Sequence, residues 1–351
     1  MRILMLNTEK GFRGGERQTL YMMQALRELN LQVELLCRRD TPVELEARAA
    51  GLRVYPLTSH LLVPAFLATY GKRFDIIHAQ TGRTQSVAVL TRPFHHRPVV
   101  YTRRVDFRLK PGFSRWKYRH TDAIVAISRA IEEILANAGV SASDVIPSVV
   151  QQRPLDEERA HALRRELLGG RRRFLPGTVA ALVPHKDPLT MVEAVAALRQ
   201  RRDDFAFVHF GDGALRPQVE EAIREAGLEG IYHLQGHVEQ VEDFYSVLHL
   251  FVMSSREEGL GSAVLDAFQY GVPVVATSAG GLRETVAGRG VLVNPEQPEE
   301  LSRAMDDLLN DETRRRTLAD TARRDIRHLY HPDTAARRYH ELYLELLAQK
   351  G

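Results

Sequence analysis

At 351 residues the chain is too long for one ordinary core and predicts two domains. A composition that is 44% hydrophobic and 26% charged is that of a globular protein, and a net charge of +3 gives no global field arguing for nucleic acid. The single cysteine, Cys37, excludes an intramolecular disulfide and a cysteine-based zinc cage.

The first predicted strand is 2–7 (RILMLN). Its apolar run is too short for a signal-peptide core, and no later stretch approaches membrane-spanning length, so a cytoplasmic protein is expected. A helix follows over 15–29, where Leu20, Met23, Leu26 and Leu29 recur at helical spacing. Further strands are predicted at 32–37, 53–57, 74–79, 98–102 and 122–127. Cys37 closes the apolar run VELLC and reads as a buried thiol. Residues 147–156 hold two prolines and no helix period, and a charged helix follows at 157–168.

The alternation then restarts. Strands are predicted at 177–183, 205–210, 231–235, 249–253, 272–276 and 290–293, separated by helices at 188–202, 214–227, 261–270, 298–309 and 312–329. Such alternation predicts βαβ units and parallel sheets. The expected organisation is an N-terminal domain over 1–152, a second domain over 153–332, and a C-terminal helix over 333–351 crossing back to the first. Two doubly wound domains place ligand sites beyond the carboxyl ends of their strands, in a cleft where they face one another.

Unusual residues after strands are therefore the candidates. After the first strand come Gly14 and Gly15, which either bring backbone N–H groups close to an anion or simply form a flexible turn. The spacing is neither a nicotinamide fingerprint nor a Walker loop. After 177–183, Lys186 is either a phosphate ligand or a solvated surface lysine. After 249–253 comes SREEGLGSAVLDAFQYGVPVVATSAGG, residues 255–281. Here Glu258 precedes a helix start, Asp266 lies one turn into that helix, and the N–H groups of Leu260, Gly261 and Ser262 suit a diphosphate. Together these groups describe a nucleotide-sugar site.

The run EGLGSAVLDAFQYGVPVVATSAGGLRE carries a Glu, seven residues, then an acid. With GGERQ, ALVPHKDPLTMVEA, FGDGALRPQVEEAIREAGL and GVLVNPEQPEEL, it resembles the retaining GT-B glycosyltransferases of family four, among them bacterial envelope-polysaccharide enzymes. The resemblance implies two Rossmann-like domains and transfer of a sugar from a nucleoside-diphosphate sugar to an acceptor hydroxyl. It implies that Lys186 binds donor phosphates, Glu258 faces the transferred sugar and Asp266 holds the ribose. The backbone of Leu260, Gly261 and Ser262 would cradle sugar and diphosphate. Gly14 and Gly15 would close over the reaction centre, and His237 would edge the nucleobase. The chain departs from the pattern at Asp266, usually Glu, and at Ala181, where many members pair an arginine with the lysine. It departs again at Thr102-Arg103-Arg104-Val105-Asp106, where many relatives have a histidine. No Asp-x-Asp occurs, so no metal is expected, and no cofactor beyond the nucleotide-sugar substrate.

Residues 92–119 hold nine Arg and Lys against Asp106 alone, interleaved with Phe94, Phe107, Phe113, Trp116 and Tyr118. The segment reads either as a surface for anionic lipid or a phosphorylated acceptor, or as a solvated loop with aromatics packed beneath it. No nucleic-acid recognition motif accompanies the charge. Arg103 and Arg104 follow a strand end and are the acceptor-side candidates. The expected acceptor is a cell-envelope glycolipid or lipopolysaccharide core, reached from the inner face of the membrane. A nucleotide-sugar epimerase and a two-lobed sugar-binding protein are the rival readings.

Overall fold

The computed structural model describes residues 1–12, 14–109 and 111–349. The chain forms two compact units, Met1–Gln151 with Tyr330–Gly351, and Gln152–Leu329.

The first unit holds seven strands: β1 (Arg2–Asn7), β2 (Gln32–Arg38), β3 (Arg53–Leu57), β4 (Ile76–Ala79), β5 (Val99–Arg103), β6 (Ala123–Ala126) and β7 (Asp144–Val145). Their connections carry α1 (Gly14–Glu28), α2 (Pro42–Ala49), α3 (Val63–Tyr70), α4 (Gly82–Leu90), α5 (Arg92–His95), α6 (Phe113–Arg119) and α7 (Arg129–Asn137). Every pairing is parallel, in the order β3-β2-β1-β4-β5-β6-β7. Parallel strands are covered on both faces, and the near-continuous apolar runs of β1 and β2 follow from that. The order reverses between β1 and β4, and this switch point is where an open parallel sheet leaves a crevice.

The second unit holds β8 (Pro176–Val179), β9 (Phe207–Phe210), β10 (Tyr232–Gly236), β11 (Leu250–Met253), β12 (Val274–Thr277) and β13 (Val291–Val293). Its helices are α8 (Glu157–Leu168), α9 (Pro188–Arg199), α10 (Arg216–Glu225), α11 (Ser262–Gln269), α12 (Leu282–Val286), α13 (Pro298–Asn310) and α14 (Glu312–Leu329). This sheet is also parallel, ordered β10-β9-β8-β11-β12-β13, with its switch point between β8 and β11. Its core joins Phe205, Phe207 and Val252 to Met191, Leu198, Met305 and Leu308 from the covering helices.

The strand expected over 177–183 ends at Val179. Its neighbour β9 stops at Phe210, and Gly211, with a φ of 139°, packs against Ala180 while bridging to Gly236. A β-carbon at Gly211 would lie 1.9 Å from the Ala180 carbonyl oxygen, so only glycine permits this approach.

The last helix, α15 (Pro332–Ala348), belongs to the first unit. Ala336, Tyr339, Tyr343 and Leu346 join Ile3, Met5, Leu20 and Met23 in one core. Two buried polar contacts fasten it to the sheet. Tyr343 OH lies 2.7 Å from His78 Nδ1, and Tyr339 OH lies 2.7 Å from Thr102 Oγ1. His78 Nε2 completes the network at 2.8 Å from the same threonine hydroxyl. Among the described residues, no helix is long and apolar enough to cross a membrane.

Candidate functional site

In the second unit, the loops after β8 and β11 leave the sheet on either side of its switch point. The first carries Lys186 at the end of a single 3-10 turn, Pro184–Lys186, with α9 starting at Pro188. Lys186 is therefore several residues beyond the end of β8, because that strand stops at Val179 rather than at 183 as expected. The second loop carries Glu258, and the Lys186 ammonium forms an ion pair with its carboxylate. Both side chains are partly exposed, which leaves them open to a ligand as well as to each other.

The two loops are stitched by further bonds. Ser254 Oγ lies 3.0 Å from the Lys186 carbonyl oxygen and 2.9 Å from that of Asp187. Arg256 N donates to the His185 carbonyl at 2.9 Å. The Arg256 guanidinium donates two bonds to the Asp187 carboxylate, at 2.9 and 3.1 Å.

The loop after β12 supports Glu258 from a third side. Gly281 N donates to the Glu258 carbonyl at 2.8 Å. A β-carbon at Gly280 would sit 2.2 Å from that same oxygen, so close approach requires the glycine. Gly261, with φ 85°, precedes α11, which opens without a side-chain cap. Buried Leu260 is anchored through its carbonyl, which accepts from Thr285 Oγ1 at 2.8 Å. Leu260, Gly261, Ser262 and Asp266 thus lie together around the α11 entry, with Asp266 half-buried one turn along. Exposed His237 follows β10, the outer strand of the sheet, two strands from β8.

In the first unit, Gly14 opens α1. A β-carbon at Gly15 would meet no protein atom within 4 Å, so packing does not demand glycine there and a ligand can approach the backbone. Around the ends of β1, β4 and β5 the acceptor-side candidate Arg104 meets groups that the sequence did not single out, Gln80 and Glu16. Arg104 Nη1 donates to Gln80 Oε1 at 2.7 Å, and the buried Glu16 carboxylate acts electrostatically on the same guanidinium. Thr8 Oγ1 lies 3.0 Å from His60 Nδ1.

Arg103, expected just past a strand end, is the last residue of β5. It is 3% exposed and bonds to the Tyr118 hydroxyl and the Phe107 carbonyl. The last position of β5 points inward, and Tyr118 on α6 gives its guanidinium a partner. The aromatics of 92–119 divide likewise. Tyr118 is buried, whereas Phe94, Phe107, Phe113 and Trp116 are exposed rather than packed beneath a loop. Phe113 stacks on Trp116 at 5.6 Å, and Trp116 stacks on His120 at 4.3 Å, along one face of α6.

Two sequence profiles match the chain. Glycosyl transferases group 1 matches residues 164–325, and Glycosyltransferase Family 4 matches residues 12–151. The chain belongs to the family 4, group 1 glycosyltransferases. The profiles split between the two parallel sheets, one on each.

Relatives of this glycosyltransferase include the 2-deoxystreptamine glucosyltransferase of Streptomyces kanamyceticus, 30% identical over 62% of the chain and 58% of the relative. The MMP alpha-(1->4)-mannosyltransferase of Mycolicibacterium hassiacum is 28% identical over 77% of the chain and 70% of the relative. The chain thus spans less than two thirds of the first relative's length. The crystal structure of Anabaena HepE in complex with UDP and glucose superposes with a TM-score of 0.84 at 21% identity, covering 98% of this chain and 100% of that one. The fold of this family 4 glycosyltransferase is therefore GT-B, with one parallel α/β sheet in each unit.

Proposed function

We propose that the protein transfers a sugar from a nucleoside-diphosphate sugar to an acceptor hydroxyl, with retention of anomeric configuration. The observation that carries this reading is the Lys186–Glu258 pair at the switch point of the second sheet, beside the uncapped entry to α11. HepE, of the same fold, has been crystallised with UDP and glucose, which supports a donor of that class.

As the anomeric bond breaks, its electron pair goes to a phosphate oxygen of the leaving diphosphate. Lys186 and the amides of residues 260–262 stabilise that developing charge, usually the largest single contribution to catalysis. Glu258 holds hydroxyls of the transferred sugar, and Asp266 the ribose. The acceptor hydroxyl forms the new bond to the anomeric carbon, and its proton passes to the leaving phosphate. No enzymic nucleophile and no metal enter this scheme. Gly14 and Gly15 approach the reacting sugar, His237 borders the base, and Arg104 with Gln80 and Glu16 meets the acceptor.

The acceptor is a glycolipid or lipopolysaccharide core of the cell envelope, reached by peripheral contact of the 92–119 face with anionic lipid. The exposed Phe107, Phe113 and Trp116 beside Arg108, Arg115 and Arg119 support this placement, since interfacial surfaces combine aromatics with basic residues.

A transfer assay tests the reading. The protein is incubated with UDP-, GDP- and ADP-sugars and an envelope lipid extract, and nucleotide release and product anomer are followed by NMR. An acceptor-dependent release of one nucleotide with an axial-to-axial product is expected. Release that does not depend on acceptor, or an inverted product, contradicts it.

A further inference from the structure

We infer that Asp187 and Arg256 are positioning residues for the phosphate grip, an assignment that rests on the donor reading of Lys186 above. Neither need touch the donor. Asp187 is covalently next to Lys186, and Arg256 lies two residues before Glu258.

Asp187 adopts φ 49° and ψ 58°, a left-handed conformation that few residues other than glycine, asparagine and aspartate take. It precedes Pro188, the first residue of α9, so helix capping is the obvious explanation for an aspartate here. That explanation fails. A capping residue keeps an extended backbone and gives its side chain to the first N–H groups, whereas Asp187 makes no side-chain cap bond. Its carboxylate, on a residue only 3% exposed, is turned instead to Thr190 Oγ1 at 2.7 Å and to the guanidinium of Arg256.

A two-bond arginine–carboxylate contact fixes orientation as well as distance. It joins loops that are 69 residues apart in sequence. The same junction includes the Arg256 N–H bond to His185 and the Ser254 hydroxyl at the carbonyls of Lys186 and Asp187. The backbone on both sides of Lys186 is therefore held against the β11 loop, and the ammonium is presented at Glu258. Glu296 Oε1 adds a second carboxylate 3.3 Å from Arg256 Nε, bringing in the segment after β13. Arg256 also answers the question raised by Ala181. Two of its three nitrogens are committed to Asp187, so its part is to hold Lys186 in place rather than to act as the missing phosphate-binding arginine.

A purely structural role makes a different forecast. Arg256 is 48% exposed on its side chain but Asp187 only 3%, so Arg256→Gln leaves a buried carboxylate with one partner fewer and lowers the melting temperature under either reading. The two are separated by selectivity: a brace alone weakens mono- and diphosphate equally, whereas a displaced Lys186 weakens the diphosphate alone.

The test is calorimetric titration of wild type, Asp187→Asn, Arg256→Gln and Arg256→Lys with UDP, GDP and ADP and with the matching monophosphates. Asparagine has nearly the shape of aspartate and tolerates the left-handed backbone, so Asp187→Asn removes charge without forcing a rearrangement. For the nucleotide that wild type binds, Asp187→Asn and Arg256→Gln should weaken the diphosphate about tenfold and the monophosphate little. Arg256→Lys, which keeps the charge and loses the fork, should fall between. Wild-type affinity in the variants overturns the inference. So does an equal loss for mono- and diphosphate, which marks a structural brace only. If wild type itself binds none of the nucleotides, the donor reading fails and the inference falls with it.

Discussion

Lys186 and Glu258 lie 72 residues apart in sequence and are joined as an ion pair across the switch point of the second sheet. The lysine carries the only formal positive charge assigned to the donor phosphates. Lys186→Ala is predicted to lower kcat by about 10²- to 10³-fold, the usual effect of removing one such donor. Glu258→Gln removes the carboxylate that competes with phosphate for the ammonium. It should slow turnover while binding nucleoside diphosphate at least as tightly as wild type, as read by calorimetry. Weaker diphosphate binding in Glu258→Gln would show that the carboxylate does not compete for the lysine.

Tyr343→Phe tests the fastening of α15. The substitution leaves His78 Nδ1 without its 2.7 Å partner inside the first unit. An unsatisfied buried group costs about 1–3 kcal/mol. Urea unfolding should report a loss of that size for the first unit, with nucleotide affinity unchanged.

Burial pushes His78 down to about 3, with Arg104 adding to the effect, and pushes His209 down to about 4. Both are neutral in the folded chain and titrate near 6.5 when unfolded. The unfolded state then binds more protons below that value, so the contribution is intact above pH 6.5 and is lost as pH falls toward 4 and 3. Unfolding free energies measured at steps from pH 8 to pH 4 should decline through this window. The two imidazoles should stay neutral by NMR over the upper part of it.

On the 92–119 face, Phe113 and Trp116 are 53% and 40% exposed and stack on one another. Phe113→Ala/Trp116→Ala should weaken sedimentation with phosphatidylglycerol vesicles about tenfold, the scale of losing apolar burial. Wild type should bind these vesicles and not phosphatidylcholine ones, with the preference reduced by salt. Equal binding to both lipids would remove the electrostatic part of the account.

Much of the fold was legible because burial of a parallel sheet on both faces writes continuous apolar runs, as in RILMLN and QVELLC. The long α14 matches the helix expected over 312–329 along its full span. Short elements were not. β7 has two residues, and α5 has four, too few for any period to register. The site was legible where chemistry clusters locally, as from Glu258 to Asp266. Lys186 was singled out for its charge, but its pairing with Glu258 is a tertiary fact. Asp187 stands just before the helix expected from 188, and nothing local reveals Arg256 as its partner. Arg103 was expected just past a strand end, and nothing local marks it as the last residue of β5. Here Tyr118, fifteen residues on, turns it inward.

The central claim, that the 254–281 region grips a nucleoside diphosphate, is tested most directly by thermal unfolding of wild type and Asp266→Ala with UDP, GDP, ADP and CMP in excess EDTA. A ligand at 100 times its dissociation constant adds about 2.7 kcal/mol of stability. The account predicts that one diphosphate raises the wild-type midpoint and leaves that of Asp266→Ala unmoved. If no nucleotide shifts the wild type, with EDTA or with magnesium, the region is not a donor site.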